Sequence, residues 1–231
     1  MLNFNEQKLE EHIQYVFNNK ELLKQALSHS SFINEMKKKG MESYERLEYL
    51  GDAVLELISS EFLFNEYKDM PEGKLTKLRA SIVCEYTLSS VSRMLHLGDY
   101  VLLSKGEEMT GGRNRDSILC DLFESVLGAI YLDGGMEPAR KYVESFLLTD
   151  IEHKTLFYDA KTTLQEIVQK DGKGSVSYKL VSESGPDHNK TYVMDVVVDG
   201  KKLATGKGSS KKNAQQMAAY EAILLLRKNN L

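Results

Sequence analysis

Two short stretches of the chain hold acids at spacings that could do chemistry. In ERLEYLGDAVLEL, residues 45–57, Glu45, Glu48 and Asp52 follow the pattern i, i+3, i+7. A helix would stack them on one face. Leu47, Leu50, Val54 and Leu57 form the neighbouring apolar stripe, so the acids run along one edge of the buried face. In ILCDLFESVLGAIYL, Asp121, Glu124 and Gly128 repeat the spacing beside Leu119, Leu122, Phe123, Val126 and Ile130. Acids on a helix are usually just solvated. Two features oppose that reading here. The acids border the core stripe, and Gly51 costs ~1 kcal/mol in a helix interior relative to Ala. A glycine held there points to close approach of another backbone or a ligand. Two such helices could cross and pool their carboxylates. The acids would then repel, and one or more would stay protonated unless a cation sat among them. Oxygen-only donors suit Mg²⁺ or Mn²⁺, whereas zinc would normally bring His or Cys. No histidine lies three residues after a glutamate, so a carboxylate-bridged di-iron bundle does not fit. Hard ions held by carboxylates commonly serve phosphoryl transfer. Neither a P-loop nor a Gly-x-Ser-x-Gly elbow is present.

These segments need helices to carry them, and the apolar pattern is helical from residue 7 to about 148. Pro71 and Glu72 mark a helix N-terminus, Gly134-Gly135 a stop, and Pro138 the opening of the next helix. SKGEEMTGGRNRD, residues 104–116, reads as a polar loop, with Glu107 and Glu108 facing solvent. The register changes after about 150. Residues 150–158 have no clear period and read as a linker. KTTLQEIVQKDG follows as a short helix. SVSYKLVSES and KTYVMDVVVDG then alternate as half-buried strands do. Asp199-Gly200 is a hairpin signal leading into KKLATGKG. SSKKNAQQMAAYEAILLLRK closes the chain as a helix with serine available as N-cap. The fold class is thus a mainly α N-terminal domain over 7–136, with helices continuing to about 149. A small α+β domain of order α-β-β-β-α follows over 159–228.

The two parts differ in charge. Of 231 residues, 42% are hydrophobic and 28% charged, with a net charge of −4. Residues 159–231 hold 12 Lys/Arg against 8 Asp/Glu, leaving 18 against 26 in the rest. An acidic first domain and a basic second one suggest different jobs. The two cysteines, Cys84 and Cys120, form no CxxC pair and read as reduced packing residues. MLNFNEQKLEEHIQ is no signal peptide, and no apolar run approaches the ~18 residues of a membrane span. The cytoplasm is the expected compartment.

With these residues assembled, the chain resembles a known family. ERLEYLGDAVLEL closely resembles the signature of bacterial ribonuclease III, and SHSSF at 28–32 resembles its Thr-His-x-Ser element, with Ser28 in place of threonine. PEGKLTKLRASIV and GGRNRDSILCDLFESVLGAIYLD resemble the later blocks, in order. The tail resembles a double-stranded-RNA-binding domain. The resemblance implies an all-helical endonuclease domain that works as a homodimer on double-stranded RNA. It also implies 5′-phosphate and 3′-hydroxyl ends with short 3′ overhangs, and roles in processing rRNA precursors and other structured transcripts. Glu48, Asp52, Asp121 and Glu124 match the family's metal-binding carboxylates, with Asp52 and Glu124 the pair most essential to catalysis. Glu45 matches an acid that shapes the cleavage centre and subunit interface, and Glu72 one that approaches from the partner subunit. Mg²⁺, with Mn²⁺ able to substitute, is the implied cofactor; no organic cofactor or membrane is implied. In the tail, Gln165 matches a minor-groove reader, and His188 the tip of the loop GPDHN. Lys211 and Lys212 match the basic start of the last helix, where the helix dipole already favours phosphate. A third basic position is here Gln215.

Two functional classes remain open: an active metal-dependent endonuclease, and an RNA-binding protein with a dead centre. The second should have lost at least one carboxylate, and all four are present. A helical nucleotide phosphohydrolase is a third option, but it would not need the basic tail. His29 reads as structural more than catalytic. Lys105, Arg113 and Arg115 read as solvated or as touching RNA, and Glu56 as exposed or paired.

Overall fold

The computed structural model describes residues 6–36, 42–170, 174–185 and 190–229. The chain divides into two compact units, Met1–Asp150 and Ile151–Leu231. In the first unit the helices are α1 (Glu6–Ile13), α2 (Lys20–Ala26), α3 (Ser30–Met36), α4 (Glu45–Glu66), α5 (Glu72–Ile82), α6 (Glu85–Met94), α7 (Lys105–Met109), α8 (Asp116–Gly134) and α9 (Met136–Phe146). Helix α8 is the axis of this unit. Its run from Ser125 to Ile130 is buried without a break, and Ile118, Leu119, Leu122 and Phe123 extend the buried surface. A helix apolar on all sides must be enclosed by others, and α4, α6, α9 and α2 pack around it. Helix α8 ends at Gly135, which has φ +85°. Pro138 lies in the first turn of α9 rather than opening it.

Helix α4 corrects one detail of its apolar stripe. Leu47, Gly51, Val54, Leu55, Ile58 and Leu63 are its buried line. Leu57 is 55% exposed and Phe64 70%. The 3.6-residue turn places residues 50, 57 and 64, seven apart, on a flank of the buried line.

The stretch 104–116 is not a loose polar loop. Ser104 Oγ accepts from the Glu107 amide at 3.1 Å and caps α7. Arg113 donates to the carbonyls of Gly98 (2.8 Å) and Val101 (3.1 Å) and pairs with Glu108, while Arg115 pairs with Glu107. Glu107 is thus half-buried as a partner of Arg115, whereas Glu108 pairs with Arg113 and still faces solvent, as expected.

The second unit comprises α10 (Ile151–Tyr158), α11 (Ala160–Gln169), β1 (Val176–Ser184), β2 (Thr191–Val198), β3 (Lys201–Gly208) and α12 (Lys211–Asn229). The strands form an antiparallel sheet of order β1-β2-β3. Asp199 (φ +49°) and Gly200 (φ +78°) make the left-handed pair of a tight hairpin turn. Small residues Ala218, Ala219 and Ala222 let α12 lie close on the sheet over Val196 and Ala204. The Asn213 amide donates to Ser210 Oγ at 3.1 Å, so serine caps α12. The segment 150–158, read as a linker, is largely helical. Leu156 is buried in this core, and Gln216 Nε2 donates to the Phe157 carbonyl at 2.6 Å. Among the described residues no helix is long and apolar enough to cross a membrane.

Candidate active site

The two acidic segments meet because α4 and α8 cross in backbone contact. A Cβ placed on Gly51 would lie 1.8 Å from the Glu124 carbonyl oxygen. One placed on Gly128 would lie 2.2 Å from the Leu47 carbonyl oxygen. Only hydrogen fits at both positions, and both glycines are there. Glu124 is itself the residue at the crossing, so its side chain leaves α8 beside the acid row of α4.

The carboxylates share one field. Glu124 is pushed up to about 8, first by burial and then by Asp52, Glu48 and Asp121. Glu48 is pushed up to about 7 by burial, Asp121, Glu45 and Asp52, in that order. Asp121 is raised by burial, against the opposing influence of the Tyr44 hydroxyl. Asp52 is exposed. Ligand atoms of Cys120, Asp121 and Glu124 all lie within 4.8 Å of one another. Cys120 Sγ thus borders the acids, and burial and the same acids push its thiol well above its ordinary range. Apart from that sulfur, the donors named are carboxylate oxygens, a set that fits a hard divalent cation. Such an ion would also relieve the repulsion that now favours protons on Glu48 and Glu124.

A second row of residues supports Asp121. The Tyr44 hydroxyl donates to Asp121 Oδ2 at 3.1 Å. The Tyr44 ring meets the His29 ring at 5.6 Å and 64°. His29 Nδ1 accepts from the Ser31 amide at 3.1 Å and lies 2.7 Å from Ser31 Oγ. Ser31 Oγ in turn accepts from the Ser104 amide at 3.1 Å. The SHSSF stretch is thus tied to the acidic centre through Tyr44. Sequence reading passed over Tyr44 because a buried aromatic beside a helix start is ordinarily core. Its only signal was its place directly before the acid row.

Of the other expected residues among those described, only Glu45 acts on this field. Glu45 opens α4, exposed, and accepts from Ser43 Oγ at 3.1 Å. Glu72 opens α5, away from the four acids, and accepts from Thr76 Oγ1 at 3.1 Å. It lines a groove between α4 and α5 with Leu57, Phe64 and Leu75. Glu56 pairs with Arg79 Nε at 2.7 Å. Gln165 is exposed on α11, and Lys211 and Lys212 are exposed on the first turn of α12. Lys211 Nζ lies 5.7 Å from the Tyr192 ring centre and 4.0 Å from Glu183. Gln215 accepts from Lys161 Nζ at 2.7 Å. His188 lies outside the described residues.

Comparison with known proteins follows the same division. Residues 19–151 match the family model described as Ribonuclease-III-like, and residues 160–226 match the Double-stranded RNA binding motif. Ribonuclease 3 of Bacillus velezensis is 49% identical over 96% of this chain and 90% of its own length. Ribonuclease 3 of Listeria innocua is 46% identical over 94% of this chain and 96% of its own. Among solved structures, a nuclease domain of ribonuclease III from Campylobacter jejuni aligns with TM-score 0.57 at 43% identity. That alignment covers 62% of this chain and 95% of the other, whose description refers to a region involved in dimer formation.

Proposed function

Because the chain belongs to the ribonuclease III family of endoribonucleases, we propose that it cleaves double-stranded RNA by divalent-metal-dependent hydrolysis of phosphodiester bonds. The observation that carries this reading is the contact of Gly51 with the Glu124 backbone, which brings two acid rows into one cluster. Glu48, Asp52, Asp121 and Glu124 hold the cation, Mg²⁺ or Mn²⁺. When bound, such an ion lowers the pKa of water and neutralises charge at the phosphate. Asp52 and Glu124, whose charges interact at the helix crossing, are the acids closest to the chemistry. A protein that only bound RNA would gain nothing from carboxylates whose ionisation its own fold opposes.

The basic second unit supplies the grip. Lys211 and Lys212 meet the phosphates at the start of α12, while Gln165 and His188 reach the minor groove, reading A-form shape more than sequence. The chain works as a cytoplasmic homodimer, so that each subunit cuts one strand and leaves a 5′-phosphate, a 3′-hydroxyl and a short 3′ overhang. Structured transcripts, rRNA precursors among them, are the substrates. Support for the subunit face comes from α4, where Tyr49 is 81%, Leu57 55% and Phe64 70% exposed. Exposed apolar residues gathered beside a groove mark an interaction surface. Glu45 and Glu72 flank that face and complete the centre across it.

The test is incubation of a labelled RNA duplex with the wild-type chain and with Glu124→Gln, with and without Mg²⁺. Wild type should give staggered duplex fragments in Mg²⁺ alone. Glu124→Gln should bind the duplex as wild type does and leave it uncut. Loss of binding in that variant would overturn the division of labour between the two units.

A further inference from the structure

Asp121 occupies an awkward position for a metal ligand. Its carboxylate sits within 4.8 Å of a Glu124 oxygen and of Cys120 Sγ, in a field that Glu48 and Asp52 share. A short side chain carrying like charge would swing outward toward water unless something held it. The only side-chain donor recorded for it, among the described residues, is the Tyr44 hydroxyl at 3.1 Å.

Tyr44 is well placed to hold. It is 2% exposed. Its amide donates to the Ser28 carbonyl at 2.9 Å, which fixes the backbone just before α4. Its ring rests against His29. His29 is itself locked, because the Ser31 amide donates to Nδ1, and an acceptor nitrogen carries no proton. The imidazole proton therefore belongs to Nε2 whenever this contact is made. Ser104 fixes Ser31 through its amide, so the line from Ser104 to Asp121 is continuous.

We propose that Tyr44 is a positioning residue for the metal centre: its hydroxyl, backed by the His29–Ser31 pair, holds Asp121 Oδ2 and so turns the remaining oxygen of Asp121 toward the cation. The inference rests on the reading of Asp121 as a metal ligand. Partners that orient a metal ligand are commonly worth 10- to 100-fold in metal affinity. Tyr44 acts without touching substrate or ion.

The experiment measures Mn²⁺ binding to the full chain by electron paramagnetic resonance, for wild type, Tyr44→Phe and Asp121→Asn. Tyr44→Phe should weaken Mn²⁺ binding by roughly 10- to 100-fold and raise the Mg²⁺ concentration for half-maximal cleavage by the same factor. Saturating Mg²⁺ should recover most of the rate, and metal-free duplex binding should not change. Replacing Tyr44 by 4-aminophenylalanine keeps both ring and donor and should restore Mn²⁺ affinity, which a purely packing role would not require. If Asp121→Asn weakens Mn²⁺ binding and Tyr44→Phe does not, the positioning role is overturned. If neither weakens it, the assignment of Asp121 as ligand fails, and the role of Tyr44 with it. Should Tyr44→Phe fold poorly, 4-fluorophenylalanine at position 44 takes its place, since it keeps the ring and fills the para position but cannot donate: weakened Mn²⁺ binding in that folded chain supports the role and wild-type binding refutes it.

Discussion

Gly51→Ala adds one methyl group, and the structure says where it would go. The new Cβ would lie 1.8 Å from the Glu124 carbonyl oxygen, 2.6 Å from its carbon and 3.0 Å from the Gly128 nitrogen. These are backbone atoms of a buried helix, so no side chain can step aside. The helices would have to part by roughly 1.5 Å to restore van der Waals distance. Overpacking of this kind typically costs 1–3 kcal/mol. Alanine returns ~1 kcal/mol of helix propensity. With backbone as the obstacle, the upper part of the range applies, and the net loss should be about 2 kcal/mol. For a unit of this size that lowers the melting temperature by roughly 4–8 °C. The effect on cleavage should be larger than the effect on folding. Parting the helices moves Glu124 and Asp121 away from Glu48 and Asp52, and a 1 Å misplacement can cost about 10²-fold in rate. The assay is calorimetry of the first unit alongside single-turnover cleavage at a temperature where both proteins are folded. Gly51→Ala/Gly128→Ala should lose less stability than the two single changes together, because helices already parted accept the second methyl more easily. A Gly51→Ala chain that melts with wild type and cuts at the wild-type rate would refute the argument.

In metal-free protein, Glu48 and Glu124 sit at about 7 and about 8, above the 4.5 expected of an unfolded chain. The folded state thus holds protons that the unfolded state releases, so this stabilisation is full below pH ~4.5 and lost as pH rises through 7 to 8. Melting temperatures between pH 5.5 and 9 should fall with pH in the absence of metal and fall less in Mg²⁺; a rise would contradict the shifts. Lys211→Ala and Lys212→Ala should each weaken duplex binding and reduce the slope of log affinity against log salt by about 1, and an unchanged slope would remove that lysine from the phosphate contacts. Leu57→Glu or Phe64→Glu, at exposed positions of α4, should convert dimer to monomer in sedimentation without lowering helix content, whereas an unaltered dimer would place the interface elsewhere. Arg113→Ala breaks bonds to Gly98, Val101 and Glu108 at once and should cost about 1.5–3 kcal/mol by chemical denaturation; a change below 0.5 kcal/mol would mean the stretch 104–116 holds itself.

The acid rows were legible because their spacing is a property of a single helix, and the glycines because each pays an avoidable local cost that only a crossing explains. What the sequence could not display was the rotation of α4 against its neighbours. Leu47 and Val54 were correctly inward, but Leu57 was not, since it sits one residue, about 100° of helix rotation, before the buried Ile58 and so falls on the flank. Helix α7 was hidden because it has only five residues and is held by tertiary ion pairs with Arg113 and Arg115, not by an apolar face. Helix α10 was hidden for a related reason: one buried residue, Leu156, makes no period. The Tyr44–Asp121 bond joins residues 77 apart, and nothing local announces it.

The same crossing explains why two ordinary acid rows become one donor set. Helices separated by side chains lie 8–10 Å apart, roughly. Carboxylates on opposite sides of such a gap would not converge on an ion that needs oxygen at about 2.0–2.1 Å. Backbone contact through Gly51 and Gly128 closes the gap, and it brings Asp52 near enough to raise the resistance of Glu124 to ionisation. The first unit tolerates this conflict because α8 is otherwise buried in apolar contact along most of its length. Local conflict of this kind concentrates where function requires it. On the proposed reading a cation turns the repulsion into ligation, so the residues that make the metal-free centre unfavourable are those that would give it affinity.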